Sequence, residues 1–351
     1  MKPVLAITMG DPTGIGPEII AKAWARREVH TMCRAVVLGH PEIMRRALQL
    51  VRSRAHVVVV DRVDQAESSA RQLPCLACCT EEARYCLAGR IDPRGGEAAY
   101  QCVTEAVRLA QAGSVDAIVT APLNKAALSA AGHDYPGHTE LLADLCSVRQ
   151  VAMMLYLAPD RTAHHQHGLA VAHVTLHMAL RDVSNFLSSD RIVRTASLLH
   201  IMTQAMLNAH GIFQAPRIAA CAFNPHAGEG GLFGDEERRV IRPAVERART
   251  AGLDIHGPFP ADTLMSRAAA GEFDAVVAMY HDQGHIALKL LTMHHAVNVT
   301  LGLPVIRTSV AHGTAHDRAW QGTAQCESMV AAIQTAATLV PCRDQLHWNE
   351  G

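Results

Sequence analysis

Short apolar runs closed by glycine or a polar cluster recur along the chain, at residues 4–9, 35–39, 57–61, 116–120, 151–157, 171–176, 217–223 and 275–279. Their length and β-branched content are those of buried strands. Between them, apolar positions three and four apart predict helices over residues 43–52, 96–111 and 190–208, the last with Gly211 just past its end. The alternation predicts an α/β chain with a mostly parallel, doubly wound sheet. The first strand runs into Gly10-Asp11-Pro12-Thr13-Gly14-Ile15-Gly16-Pro17. Asp11 or Thr13 can cap there and Pro17 suits a first helical turn, giving a strand–turn–helix opening. The glycines do not fit GxGxxG, so a Rossmann nucleotide site is not supported.

Three of the predicted strands end at a histidine: His177, His226 in Asn224-Pro225-His226-Ala227-Gly228, and His281 in Tyr280-His281-Asp282. In open α/β sheets, ligands sit outside the carboxyl ends of strands. Taken singly, each imidazole reads as a hydrogen-bonded loop residue. Taken together, they can converge on one divalent ion and leave positions open for substrate or water. The stretch from residue 279 to 314 adds Lys289, Asn298 and Arg307 at equal spacing, then His312-Gly313-Thr314. Cations beside metal-type ligands suggest a small anionic guest, phosphate being the natural partner of an Arg fork. His138 and Thr139 sit where Tyr135-Pro136-Gly137 turns into a helix, a place for an anion contact or for a plain N-cap. Asp262, in Gly257-Pro258-Phe259-Pro260-Ala261-Asp262-Thr263, is either a helix cap or a proton carrier. The acidic, glycine-rich loop at 229–237 reads as caps and solvated charges.

Composition narrows this picture. A chain of 351 residues is expected to divide into two domains. Its 33 acidic and 32 basic residues nearly cancel, so no nucleic-acid or membrane partner is advertised, and aromatic content of 4% argues against base stacking. No apolar run reaches the ~18 residues of a spanning helix, and the N-terminal run is too short for a signal peptide. With ten cysteines in a chain this long, free thiols in a reducing cytoplasm are expected. Cys75, Cys78 and Cys79 look like half a zinc site with no second CxxC to complete it, so a neutral loop is expected there. His164-His165-Gln166-His167, beside Asp160 and Gly168, reads as a solvated hairpin loop.

The segments GDPTGIGPE, TAPLNK, YPGHTELLA, NPHAGEGGLFGDEE, PADT, MYHDQGH and VNVTLGLPVIRTS resemble, in order and nearly end to end, the 4-hydroxythreonine-4-phosphate dehydrogenase family. DQGHIALKLL and ESMVAAI are more similar to its 4-phospho-D-threonate/4-phospho-D-erythronate branch. The resemblance implies a fold like that of isocitrate and isopropylmalate dehydrogenases: two α/β/α domains with a cleft between them, in a homodimer. The expected division is residues 1–130 with 300–351 on the cofactor side, and 131–299 carrying metal, substrate and dimer contacts. HGTAHDRAWQG resembles the cofactor loop of those enzymes, which implies NAD contacts at His312, Gly313, Thr314 and Asp317. By position, His177, His226 and His281 correspond to ligands of one divalent metal shared across the dimer interface. His138, Thr139, Lys289, Asn298 and Arg307 correspond to substrate contacts, and Asp262 and Lys289 are the expected catalytic groups. Imidazole ligands favour a borderline ion such as zinc, cobalt or nickel over magnesium, with manganese also among the candidates. The implied reaction is NAD-dependent oxidation of a phosphorylated 3-hydroxy acid with decarboxylation of the 3-oxo product. Alternatives are a dehydrogenase of a non-phosphorylated diol, such as an aromatic-acid cis-dihydrodiol, and a metallohydrolase. The chain departs from the pattern at Ala311, where Asp is frequent, and at His316, Arg318 and Trp320 in the cofactor loop.

Overall fold

The computed structural model describes residues 2–159, 168–291 and 295–346, and the chain divides into two compact units. Strands β1 (Val4–Thr8), β2 (Arg34–Gly39), β3 (His56–Val60), β4 (Gln72–Ala77) and β5 (Ala117–Thr120) belong to the first unit. The second contains β6 (Ala152–Leu157), β7 (Leu169–His173), β8 (Ile218–Cys221), β9 (Ile255–Phe259), β10 (Ala275–Ala278) and β11 (Ala296–Leu301). The chain then returns to the first unit as β12 (Ile306–Val310). The His-rich tract at 164–167 lies outside the described residues.

In the first unit the strand order is β3-β4-β2-β1-β5-β12, and each pair is parallel. Parallel strands are covered on both faces, so their sequences are continuously apolar, as in the wholly buried Ala-Ile-Val-Thr of β5. In the second unit the order is β11-β6-β7-β10-β8-β9. Its β7, β10, β8 and β9 are parallel, whereas β6 runs antiparallel to both neighbours. The α/β class read from the sequence is the observed one, and the reversed strand β6 is the departure from a uniformly parallel sheet.

The unit boundaries fall at Val151/Ala152 and Gly302/Leu303, with residues 341–346 on the second unit, against the expected 130/131 and 299/300. The reason is packing. Leu141, Leu142 and Cys146 of the His138–Leu145 helix and its end join Val103, Ala106, Val107 and Ile118 in the first unit's core. Four strands escape the apolar-run reading: β4, which contains Pro74, β9, which contains Gly257-Pro258, and β11 and β12 within the stretch 279–314. Among the described residues, no helix is long and apolar enough to cross a membrane.

Candidate active site

In the first unit, β12 places Arg307 beside the carboxyl end of β5. Arg307 is 1% exposed, and its Nη2 donates to Thr120 Oγ1 at 2.6 Å. Burial pulls its pKa down to about 9, partly offset by the Glu140 carboxylate, so the group is still cationic at neutral pH. His138, in the first turn of the His138–Leu145 helix, lies close enough to feel that charge. Burial and Arg307 hold its pKa well below the usual imidazole range, which keeps the ring neutral. Its Nε2 is shielded from solvent and has no hydrogen-bond partner. Gly137 occupies the N-cap, so Thr139 belongs to the first turn and is not the cap. A buried cation, an idle imidazole nitrogen and a helix N-terminus within one unit form a place for an anion.

The opening turn and the late loop interlock in the same unit. Ile15 N donates to Thr314 O at 3.0 Å, and Gly14 packs so closely that a Cβ there would lie 2.8 Å from Thr314 Cβ. Asp11 does not cap the first helix, whose N-cap is Ile15; its Oδ1 accepts from the amide and hydroxyl of Thr13 at 2.9 and 2.7 Å. Three departures from the family pattern find partners there. His316 Nε2 lies 3.2 Å from Thr13 Oγ1, Trp320 Nε1 donates to Pro12 O at 2.8 Å, and the Arg46 guanidinium covers the Trp320 ring at 4.9 Å. Arg318 lies 3.8 Å from Asp317. His312, Gly313 and Asp317 stay exposed along this loop, while Thr314 is buried at its root. Asp11 Oδ2 is buried and makes no hydrogen bond, with His316 Nε2 at 3.8 Å, and burial raises the pKa of this carboxyl.

In the second unit, His281 opens the helix His281–Leu291 directly after β10, where the sequence suggested a loop. Gln283 fastens this junction by accepting from Met279 N and donating to Ala222 O, both at 2.7 Å. The strand leading to His177 ends earlier than expected, at His173. The segment beyond it is braced by Thr175 Oγ1, which donates to Met279 O at 2.8 Å. These ties bring the His177 and His281 rings to 5.9 Å between centroids. Two histidines absent from the sequence reading stand behind them. His285 stacks on His281 at 3.7 Å, and its Nδ1 lies 3.1 Å from Nε2 of the buried His173. The spacing of His281 and His285 was the available signal, since residues four apart share a helix face.

His226 lies in a turn where residues 226–230 all have positive φ, which is costly for His226, Ala227 and Glu229. The buried Glu237 holds this turn: its Oε1 accepts from Phe223 N at 2.8 Å and Asn224 N at 2.6 Å. One acid of the 229–237 loop is therefore a buried anchor. Among the described residues no three His, Cys, Asp or Glu are grouped to hold a metal, so His226 does not join His177 and His281 within one chain. Even so, the donor chemistry fits a divalent ion. His281 Nδ1 lies 2.7 Å from Asp282 and His226 Nδ1 lies 3.3 Å from Glu229, an arrangement that leaves each Nε2 lone pair for a ligand bond. Lys289 shares its helix with His285, whose pKa is lowered first by burial and then by His281 and Lys289. Asn298 donates to Met153 Sδ at 3.3 Å, and its buried Oδ1 has no hydrogen-bond partner. Asp262 is exposed in the first turn of Ala261–Ala269, where Pro260 is the cap residue, so the capping reading is set aside.

The model of the pyridoxal phosphate biosynthetic protein PdxA family matches residues 31–336. The chain belongs to the PdxA family. It is 45% identical to the D-threonate 4-phosphate dehydrogenase of Pectobacterium atrosepticum, over 97% of this chain and 100% of that one. It is 47% identical to the 4-hydroxythreonine-4-phosphate dehydrogenase of Geobacter metallireducens, over 96% of each. The crystal structure of the 4-hydroxythreonine-4-phosphate dehydrogenase from Klebsiella pneumoniae superposes with a TM-score of 0.83 at 42% identity, covering 97% of this chain and 100% of that one. This PdxA-family chain therefore has the isocitrate dehydrogenase-like fold and is an enzyme of a class that dehydrogenates a CH–OH group.

Two predictions follow from the histidine cluster. A Cβ at Gly284 would collide with His173 Nε2 and come within 2.8 Å of Val171 Cγ1. Gly284→Ala is expected to lower stability by about 1–3 kcal/mol despite alanine's better helix propensity, read by thermal denaturation. The second concerns pH. Burial, with the neighbouring imidazoles, pushes His173 down to about 3 and His285 down to about 4, against an ordinary 6.5. The unfolded chain then binds protons that the folded chain refuses, so the stability is fully present above pH 6.5 and is lost as pH falls towards these values. Unfolding free energies from urea titrations of chelator-treated protein should decline across that window, by up to ~1.4 kcal/mol per pH unit for each imidazole.

Proposed function

We propose that the chain oxidises the secondary hydroxyl of a small phosphorylated 3-hydroxy acid with NAD, and that the 3-oxo acid then loses carbon dioxide. Candidate substrates are 4-phospho-D-threonate, 4-phospho-D-erythronate and 4-phosphohydroxy-L-threonine. The observation that carries this reading is Arg307, a buried guanidinium beside a neutral His138 whose Nε2 has no hydrogen-bond partner. A fixed cation in a dry setting binds a phosphate or carboxylate far better than a surface cation does, and its planar fork orients the anion. His138 Nε2 and the first-turn amides around Thr139 supply further contacts to the same anion. Lys289 and Asn298 Oδ1 are the second unit's groups for the rest of the substrate. The Lys289 ammonium holds the oxygen that loses its proton, and the Asp262 carboxylate is the proposed acceptor that passes that proton to water.

A divalent ion held by His177, His226 and His281 would supply Lewis-acid polarisation of the substrate oxygens, and NAD would accept the hydride. Zinc, cobalt or nickel suits three imidazoles better than manganese or magnesium. NAD is assigned to the loop carrying His312, Gly313, Thr314 and Asp317. Because His226 stays apart from the other two histidines, a homodimer completes the ion site across its interface. Exposed apolar side chains support this, since each histidine is followed by such a pair: Leu180 and Phe186, Leu232 and Phe233, Ile286 and Leu290. With all ten cysteines free, a reducing cytoplasm is the proposed setting. NADH formation from the three candidate acids, with and without added divalent ions, tests the reading. Release of inorganic phosphate without NADH formation would point to the metallohydrolase instead.

A further inference from the structure

Apart from the site above, the first unit gathers four thiols that its sequence spacing does not announce. Cys75 is fully buried in β4, and Cys78 and Cys79 follow that strand, each partly exposed. The helix Pro93–Gln111 brings in Cys102, fully buried, with its Sγ 3.7 Å from Cys78 Sγ. The expected neutral loop is thus one wall of a thiol cluster. Its backbone is fixed from two sides. Cys78 N donates to Gly39 O at 3.4 Å, and Thr80 N donates to Gln101 Oε1 on the same helix as Cys102, at 3.0 Å.

We infer that Cys78 and Cys102 form a reversible oxidation site that reacts with hydroperoxides and closes into a disulfide. The sulfurs must approach from 3.7 Å to about 2.05 Å for the bond to form. Cys102 cannot begin the reaction. Hydrogen bonding with Cys78 and Cys79, and then burial, push its pKa well above that of an ordinary thiol. The thiolate of Cys78, the less buried of the two residues, attacks the terminal oxygen of the hydroperoxide. The O–O bond breaks, an alcohol or water leaves, and Cys78 becomes a sulfenic acid. Cys102 sulfur then displaces that hydroxyl, and its proton leaves with the departing water. Two thiols are oxidised, one hydroperoxide is reduced, and one S–S bond is formed. Thiol–disulfide exchange with a small dithiol reverses it.

The test uses the full chain treated with hydrogen peroxide, blocked with an alkylating reagent and digested without reductant. The expected result is a linked peptide pair containing Cys78 and Cys102, lighter by two hydrogens than the separate peptides and released by dithiothreitol. In Cys102→Ser, trapping by dimedone at Cys78 should rise several-fold, because the resolving thiol is gone. Should that variant fail to fold, the wild-type digest alone decides. Sulfinic acid at Cys78 with Cys102 still reduced, or a bond from Cys79 to Cys102, overturns the inference.

Discussion

Replacing Arg307 by methionine is expected to lower kcat/KM for the phosphorylated substrate by about two to four orders of magnitude, because truncating one partner of a buried charge pair costs roughly 2–5 kcal/mol. The same change should leave the thermal midpoint of the ligand-free protein within a few degrees of wild type. Burial depresses the Arg307 pKa, which says that the folded chain carries this charge at a cost when no anion is bound. Methionine fills similar volume without that cost, so stability and activity separate, and a folding defect cannot imitate the result. Arg307→Lys is the finer probe. It keeps the charge and loses the fork, so substrate KM should rise while the enzyme still turns over. Paired measurements of kcat/KM and thermal unfolding decide the matter. Activity of Arg307→Met within tenfold of wild type would remove Arg307 from the substrate site.

How much of this was legible beforehand depends on the range of the interaction. Strands buried on both faces announce themselves, which is why β1, β2, β5, β8 and β10 were read close to their observed positions. Proline and glycine concealed β4 and β9, since local rules demote a run that contains them. Arg307 could be singled out as a candidate from its residue type, but its contact with Thr120 could not, because strand neighbours in a parallel sheet are set by topology. The same limit hid Cys102, brought to Cys78 by a helix, and Trp320, which looked like a misfit until Pro12 and Arg46 were seen against it. His173 and His285 were overlooked for another reason. In a chain with 21 histidines, buried ones resemble core residues until a second ring is found in contact.

Changing His281 or His177 to alanine should abolish stoichiometric binding of a divalent ion and reduce NADH formation by about three orders of magnitude or more, the several kcal/mol that Lewis-acid assistance is worth. The two residues are separated in sequence and meet because Gln283 and Thr175 tie their segments to the ends of β8 and β10. His285→Ala is the control that gives the result its meaning. It removes a ring stacked 3.7 Å from His281 and a contact with His173, yet leaves both proposed donors in place. Its ion stoichiometry should therefore survive, with looser affinity from a less firmly held His281. Asp282→Asn belongs between these extremes. Loss of the carboxylate at Nδ1 frees the tautomer, and such partners typically account for about 10–100-fold in affinity. Equilibrium dialysis followed by elemental analysis ranks the variants. If His281→Ala binds the ion as tightly as His285→Ala does, these imidazoles are packing residues and the ion belongs elsewhere in the chain.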